Sequence, residues 1–208
     1  MVGGLPSVLS LADLDKVDMG DLIYRPIRRA MGVSAFGINA YTAENAGDEV
    51  IEDHDEQGDG SGHHEELYVV MTGHATFTLD GETVDAPAGT FLLARPEQRR
   101  AAVAAAEETT VLVIGGKPGA AGPPSPFEYW YLAEPAYRAK EYERAYAIAA
   151  EGLEHHPDNA PLQYQLGCYA ARAGRLEDAR AHIERAFELN PKAREWAVGD
   201  ADLVDLDL

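Results

Sequence analysis

Cysteine is almost missing from this chain: Cys168 stands alone among 208 residues, so no internal disulfide forms and the composition suits a reducing compartment. Basic residues are scarce as well. Lys and Arg total 17 against 36 Asp and Glu, for a formal net charge of -19, and the basic clusters are limited to Arg25, Arg28, Arg29 and the pair Arg99-Arg100. A surface of that sign repels a phosphate backbone, which removes nucleic acid from the expected partners. Long apolar runs are missing too: nothing approaches the roughly 18–20 residues of a membrane-spanning helix. The opening MVGGLPSVLSLADLD has no basic leader before it turns acidic. A cytoplasmic protein without membrane contact is the expectation.

What the chain does have is enough length for one or two domains and two different rhythms. From about Asp21 to Gly116, short β-prone runs are broken by turn residues: FGINAYTA, EELYVVM, HATFTLDG, ETVDA, GTFLLA and TTVLVIGG. Ala75, Phe77 and Leu79 interleave with Thr76, Thr78 and Asp80, the two-residue period of a strand with one buried face. Asp80-Gly81 then supplies the dipeptide that a type I′ turn needs. Short strands in quick succession predict a sandwich or barrel. Residues 1–32 are read as a segment covering that barrel, with Leu9, Leu11, Leu14 and Asp21–Tyr24 as a turn and a strand over a sheet edge. GGKPGAAGPPSP ends the pattern, because its glycines and prolines neither extend a strand nor start a helix efficiently.

Beyond Phe127 the period becomes three and four. YERAYAIAAEGLEHHP and LEDARAHIERAFELNP superpose with Tyr142 on Leu176, Ala145 on Ala179, Leu153 on Phe187 and Pro157 on Pro191, each pair 34 residues apart. That spacing, together with Leu166-Gly167 and the small Ala145, Ala179 and Ala186, resembles two tetratricopeptide repeats over residues 127–192. The resemblance implies paired helices and a surface for a protein partner. Trp130, Tyr137 and Tyr164 serve either as a groove for a partner's peptide or as packing. Two repeats are fewer than the three or so that bury a self-sufficient core, so residues 193–208 are expected to act as a capping helix or tail, with Trp196 and Leu203 as buried anchors.

The β-half resembles a cupin. Glu66, six residues and Gly73 reproduce the end of the first cupin motif around LYVV, and GTFLLARP at Gly89–Pro96 resembles the start of the second. The implied fold class is an α+β multidomain chain: a cupin-type double-stranded β-barrel, or jelly roll, at 33–116, a Gly/Pro linker at 117–126, and the helical repeats. The resemblance also implies a divalent ion held by two histidines and a glutamate of the first motif and a histidine of the second. Counting back from Glu66 by the family spacing reaches Asp59, Gly60, Ser61 and Gly62, which form no His-x-His pair. The substitute is His54-Asp55-Glu56, displaced by the loop QGDGSG, an insertion that loop-closure entropy tolerates. Gln98, Arg99 and Arg100 stand near the slot of the second-motif histidine, and a guanidinium cannot ligate a cation.

Three readings of the barrel mouth follow. In one, His54, Glu56, His64 and Glu66 form a remodelled site for Zn, Mn, Fe or Ni, ions that accept mixed imidazole and carboxylate donors. In another, an arginine such as Arg100 points inward, pairing with Glu66 or binding a small acidic ligand beside Tyr68; strand parity with Glu66 turns His64 and Tyr68 inward. In the third, the histidines and acidic residues are exposed loop chemistry around an inert barrel. The function expected is a non-catalytic binding or regulatory protein, its barrel holding a small ligand or ion and its helices contacting a protein partner. A metal-dependent cupin enzyme, of oxygenase or isomerase class, and a homodimeric scaffold are the alternatives.

Overall fold

The computed structural model describes residues 8–58 and 61–206 and falls into two compact units, Met1–Ala121 and Gly122–Leu208. The break lies inside the glycine- and proline-rich stretch. Asp59 and Gly60, which the family spacing reaches when counted back from Glu66, lie outside the described residues.

Among the described residues the first unit contains a short helix, α1 Ile27–Met31, and ten strands: β1 Val17–Asp18, β2 Leu22–Arg25, β3 Gly37–Ala43, β4 Glu49–His54, β5 Glu65–Thr72, β6 His74–Leu79, β7 Glu82–Pro87, β8 Phe91–Ala94, β9 Arg100–Ala104 and β10 Thr109–Gly116. They form a six-stranded sheet ordered β1-β2-β3-β10-β5-β8 and a four-stranded sheet ordered β4-β9-β6-β7. Every pairing is antiparallel. Between the sheets sits an apolar core that includes Val50, Tyr68, Val70, Phe77 and Val111. The result is a cupin-like jelly roll. Its β6–β7 hairpin turns at Asp80 and Gly81, whose φ values of 50° and 87° are both positive, as a type I′ turn requires. The opening segment contributes β2, which pairs with β3 from Leu22↔Ala43 to Arg25↔Ala40 and so covers that sheet's edge.

Three strands were not anticipated: the two-residue β1, β4 and β9. EVIEDH, as β4, carries Glu49, Glu52 and Asp53 on a strand whose Val50 and Ile51 are buried, and RAAVA, as β9, lies in an alanine-rich run that would serve a helix equally well. Their pairing sets His54 opposite Arg100.

The second unit is helical: α2 Pro126–Arg138, α3 Tyr142–Ala150 with a following 3-10 turn Glu151–Glu154, α4 Ala160–Arg172, α5 Leu176–Leu189 and the short α6 Ala193–Trp196. Its starts repeat at one interval, since 160 − 126 and 176 − 142 both equal 34. Local chemistry explains the ends. Ser125 and Glu128 form a capping box before α2, Asn159 accepts the Leu162 N–H at α4, and Gly174, with φ of 79°, follows the end of α4. Glycine is required where helices touch: a Cβ on Gly167 would lie 2.6 Å from the Ile183 side chain, and one on Gly152 would lie 2.9 Å from Leu162 and Tyr129.

The expected capping helix is only partly present. After α6 the chain runs on as turns, Leu203 is buried at 4% exposure, and Trp196 is 40% exposed rather than an internal anchor. Trp196 instead meets the edge of Tyr164, their ring centroids 5.5 Å apart.

Candidate functional site

The strands of the first unit bring Glu66, Tyr68 and Arg100 into one hydrogen-bonded knot. Glu66 and Tyr68 share a face of β5, and Arg100 enters from β9 in the opposing sheet. Arg100 is the largest fully buried side chain among the described residues. Its Nη2 donates to Glu66 Oε2 at 2.9 Å, its Nε to the Tyr68 hydroxyl at 3.2 Å, and its Nη1 to the Gln98 carbonyl at 2.9 Å. The Tyr68 hydroxyl donates in turn to the same oxygen of Glu66. Burial works against a charge on Glu66, but the Tyr68 hydroxyl and the Arg100 guanidinium outweigh it and hold this carboxyl below its ordinary value. Burial and the adjacent Glu66 push the Tyr68 phenol far up.

Against this knot stands a second group. His54 ends β4, and its Nδ1 lies 2.8 Å from the Glu52 carbonyl. A carbonyl only accepts, so Nδ1 carries a proton and, in the neutral ring, Nε2 presents a lone pair. That Nε2 is 3.5 Å from Glu66 Oε2. Glu56 is carried in by the next turn, where its N–H donates to the Pro96 carbonyl at 2.9 Å. Gly62 N–H donates to Glu56 Oε2 at 2.9 Å. One donor atom from each of His54, Glu56 and Glu66 falls within 4.8 Å of the others.

These three residues are of the types that could hold a divalent transition ion, with His54 Nε2 and Glu66 Oε2 at 3.5 Å and the whole set within 4.8 Å. Two donors each about 2.1 Å from a metal stand roughly 3–3.5 Å apart in octahedral or tetrahedral geometry, and imidazole with carboxylates suits Zn, Mn, Fe or Ni. The hydrogen bonds to Glu56 and Glu66 fall on Oε2 in each case, which leaves Oε1 to a further partner. His64 is not brought into this group. Its ring packs under Gly62 and lies near Gly115, while its backbone N–H faces Glu56 Oε2 at 3.5 Å. Arg100 does not face the ligand space either: it stands behind Glu66, with no exposed side-chain surface. No fourth protein donor takes the place of the second-motif histidine among the described residues.

In front of the trio opens a cavity of about 690 Å³. Its walls carry Glu49, Glu52, Glu56 and Glu66, the phenols of Tyr24, Tyr41 and Tyr68, and aliphatic side chains of β1, β2 and β4. No lysine or arginine lines it among the described residues. Burial, followed by Tyr24, Glu66 and Glu52, raises the Tyr41 phenol to about 12, so it remains a neutral hydroxyl.

A second cluster of donor types, Cys168, Asp200 and Asp202, lies in the helical unit. Its carboxylates already accept hydroxyls from Tyr164 and Tyr137. Burial and the two aspartates push the Cys168 thiol well above its ordinary value, which makes it a packing residue and a poor nucleophile.

No family model and no curated protein matches the chain. Solved structures similar to part of it include KdgF from Halomonas sp., at 16% identity over 53% of this chain and 92% of that one, with a TM-score of 0.44. A sugar phosphate isomerase of the cupin superfamily from Silicibacter pomeroyi is also 16% identical, over 53% of this chain and 75% of that one, with a TM-score of 0.44. An uncharacterized protein with a double-stranded beta-helix domain from Klebsiella pneumoniae is 18% identical over 55% of this chain and 93% of that one, with a TM-score of 0.45. Likeness at this level adds nothing to the chemistry of the site, which rests on the geometry above.

Proposed function

We propose that the β-unit is a binding module in which His54, Glu56 and Glu66 hold a divalent transition ion at the floor of the cavity, and the ion holds a small ligand. The observation that carries this is the His54 ring, whose Nδ1 proton is fixed on the Glu52 carbonyl, leaving Nε2 3.5 Å from Glu66 in a group that also takes in Glu56. A hydrogen bond from the far ring nitrogen to a carbonyl orients metal-binding imidazoles in this way. Arg100 neutralises part of the local negative charge, and the side facing the cavity is left for the ligand. A small acidic ligand enters this reading through the ion, because no basic side chain lines the walls.

Binding rather than catalysis is favoured by the state of the neighbouring groups. A general acid or base works best with a pKa near the operating pH. Glu66 is held below its ordinary range and Tyr68 and Tyr41 far above neutrality, so none of the three is poised to move a proton. A metal-dependent enzyme is the second reading, supported by the same open side of the ion, where a Lewis acid would act on a substrate.

Elemental analysis of protein purified without chelators separates these from an inert barrel. About one transition ion per chain, lost in His54→Ala, supports the module; an ion-free chain that also refuses added Zn or Mn overturns it. Turnover of a small molecule that tracks ion occupancy would move the reading to the enzyme.

For the helical unit, the 34-residue repeat of helix starts supports two tetratricopeptide-like repeats used for contact with a protein partner. Trp130 is half-exposed and lines an apolar cavity of about 320 Å³ with Pro161 and Tyr164. Trp130→Ala is expected to leave the melting temperature within about 2 °C, the scale of a surface change. A large loss of stability would mean that the ring is packing and not contact surface.

A further inference from the structure

Residues 197–206 close the helical unit without forming a helix. Their backbone hydrogen bonds are single turns, from Asp200 to Ala197, Leu203 to Asp200 and Leu206 to Leu203. The segment is held from outside by side chains. Asp202 accepts the Tyr137 hydroxyl at 2.6 and 2.8 Å and stands 3.6 Å from Arg172 Nε. Asp200 accepts the Tyr164 hydroxyl at 2.8 Å. Tyr137 belongs to α2, and Tyr164 and Arg172 to α4, so the first helix of each pair contributes to one seat. Leu203 and Leu206 then insert into the apolar cluster with Ala170 and Phe187. Just before the seat comes Gly199, with φ of 76° and open space where a Cβ would be, beside Val198 at 83% exposure.

A self-sufficient cap would be an amphipathic helix that satisfies its own backbone. This strap instead depends on two carboxylates and two leucines, the kind of contacts a separate peptide makes with a groove. We propose that the face formed by Tyr137, Tyr164 and Arg172 is a docking surface for a protein segment carrying two carboxylates separated by one intervening residue, followed by leucines. The Asp200-x-Asp202-Leu203 strap is its intramolecular competitor. The inference gives chemistry to the protein contact proposed above and rests on that reading; it is independent of the ion site.

The test uses the full chain and a fluorescent peptide of the sequence AVGDADLVDL, residues 197–206. In Asp200→Ala/Asp202→Ala the strap loses its polar anchors but keeps both leucines. Because a competitor that fills the site reduces apparent affinity by the fraction of chains left open, peptide binding followed by anisotropy is expected to tighten at least about tenfold over wild type. Adding Tyr137→Phe and Tyr164→Phe is expected to remove that gain. Equal binding by wild type and the opened variant, or none by either, overturns the proposal, while the wider protein-contact reading is tested separately at Trp130. A wild-type dimer that dissociates in the opened variant also overturns it, by making a second copy the occupant. Should the opened variant fail to fold, hydrogen exchange on wild type decides. Amides of 200–206 exchanging faster than the interior of α4 support a strap, and equal protection makes the segment a permanent part of the core.

Discussion

In the β-unit the bulkiest side chain withdrawn from water is an arginine, whereas the helical unit fills its centre with Ala133, Ala145, Ala149, Ala179 and Ala186 around Leu166, Tyr169 and Ile183. The first interior is organised by charge: Arg100, Glu66 and Tyr68 satisfy one another where the two sheets meet. The second is organised by proximity, with glycine and alanine letting helix pairs approach, and its polar contacts are dispersed: Gln163 pairs with His182 between α4 and α5, while Tyr137 and Tyr164 reach the strap. A buried ion pair is a poor source of stability and is expensive to break. A buried pair kept at a cavity floor therefore points to a role there, while close-packed alanines need no explanation beyond the fold.

Substitutions can break this contrast in a predicted order. Arg100→Met removes the partner of a carboxylate that is only 15% exposed, and is expected to cost about 3–5 kcal/mol, measured by urea unfolding followed through the β-sheet signal. Restoring most of that loss with Glu66→Gln would confirm that the cost is an orphaned charge; a loss below about 1 kcal/mol would contradict the knot. In the helical unit, Gly167→Val drives a side chain against Ile183 and the Ala179 carbonyl, with an expected cost of about 2–3 kcal/mol in the helical unfolding transition.

Acid titration sharpens the contrast further. The folded-state value of Glu66 is depressed, so its contribution is full above the ordinary carboxylate value of 4.5 and is lost as the pH falls through the lower folded value. Over that window wild type should lose stability faster than Glu66→Gln, by at most about 1.4 kcal/mol per pH unit. Parallel melting curves for the two would remove the charged knot from the account. The smallest effect belongs to the neighbour of Arg100. Arg99 is exposed and pairs with exposed Asp53 at 2.8 Å, so Arg99→Ala should leave the melting temperature unchanged within error. The two adjacent arginines would then differ in setting: Arg100 opens β9 with its side chain buried between the sheets, and Arg99 precedes the strand with its side chain in solvent.

How much of this was legible follows from strand parity. The β5–β7 strands and their Asp80-Gly81 turn are plain in the alternation from Ala75 to Asp80. The helix pairs are plain in the 34-residue offset, since period and turn chemistry are local signals. Strands β4 and β9 were obscured because acidic residues and alanines carry weak β preference, and only their cross-sheet partners make them strands. Tyr68 and Glu66 were placed inward by counting along β5. His64 has the same parity but precedes the strand, where His63 takes a positive φ of 49° and strand alternation does not apply. The burial of Arg100 is tertiary: nothing local distinguishes it from Arg99. The strap escaped because its acidic residues at Asp200, Asp202 and Asp205 suit a solvated helix face as well as a seat on two tyrosines.

The central claim is that three side chains from β4, its following turn and β5 hold one ion in the β-unit. Calorimetric titration of Mn or Zn into the chelator-treated chain tests it most directly, with His54→Ala, Glu56→Gln and His64→Ala beside wild type. One site per chain is predicted, weakened at least about hundredfold by either of the first two changes and unaltered by His64→Ala. Absence of binding in wild type, or an equal loss in His64→Ala, would contradict the account.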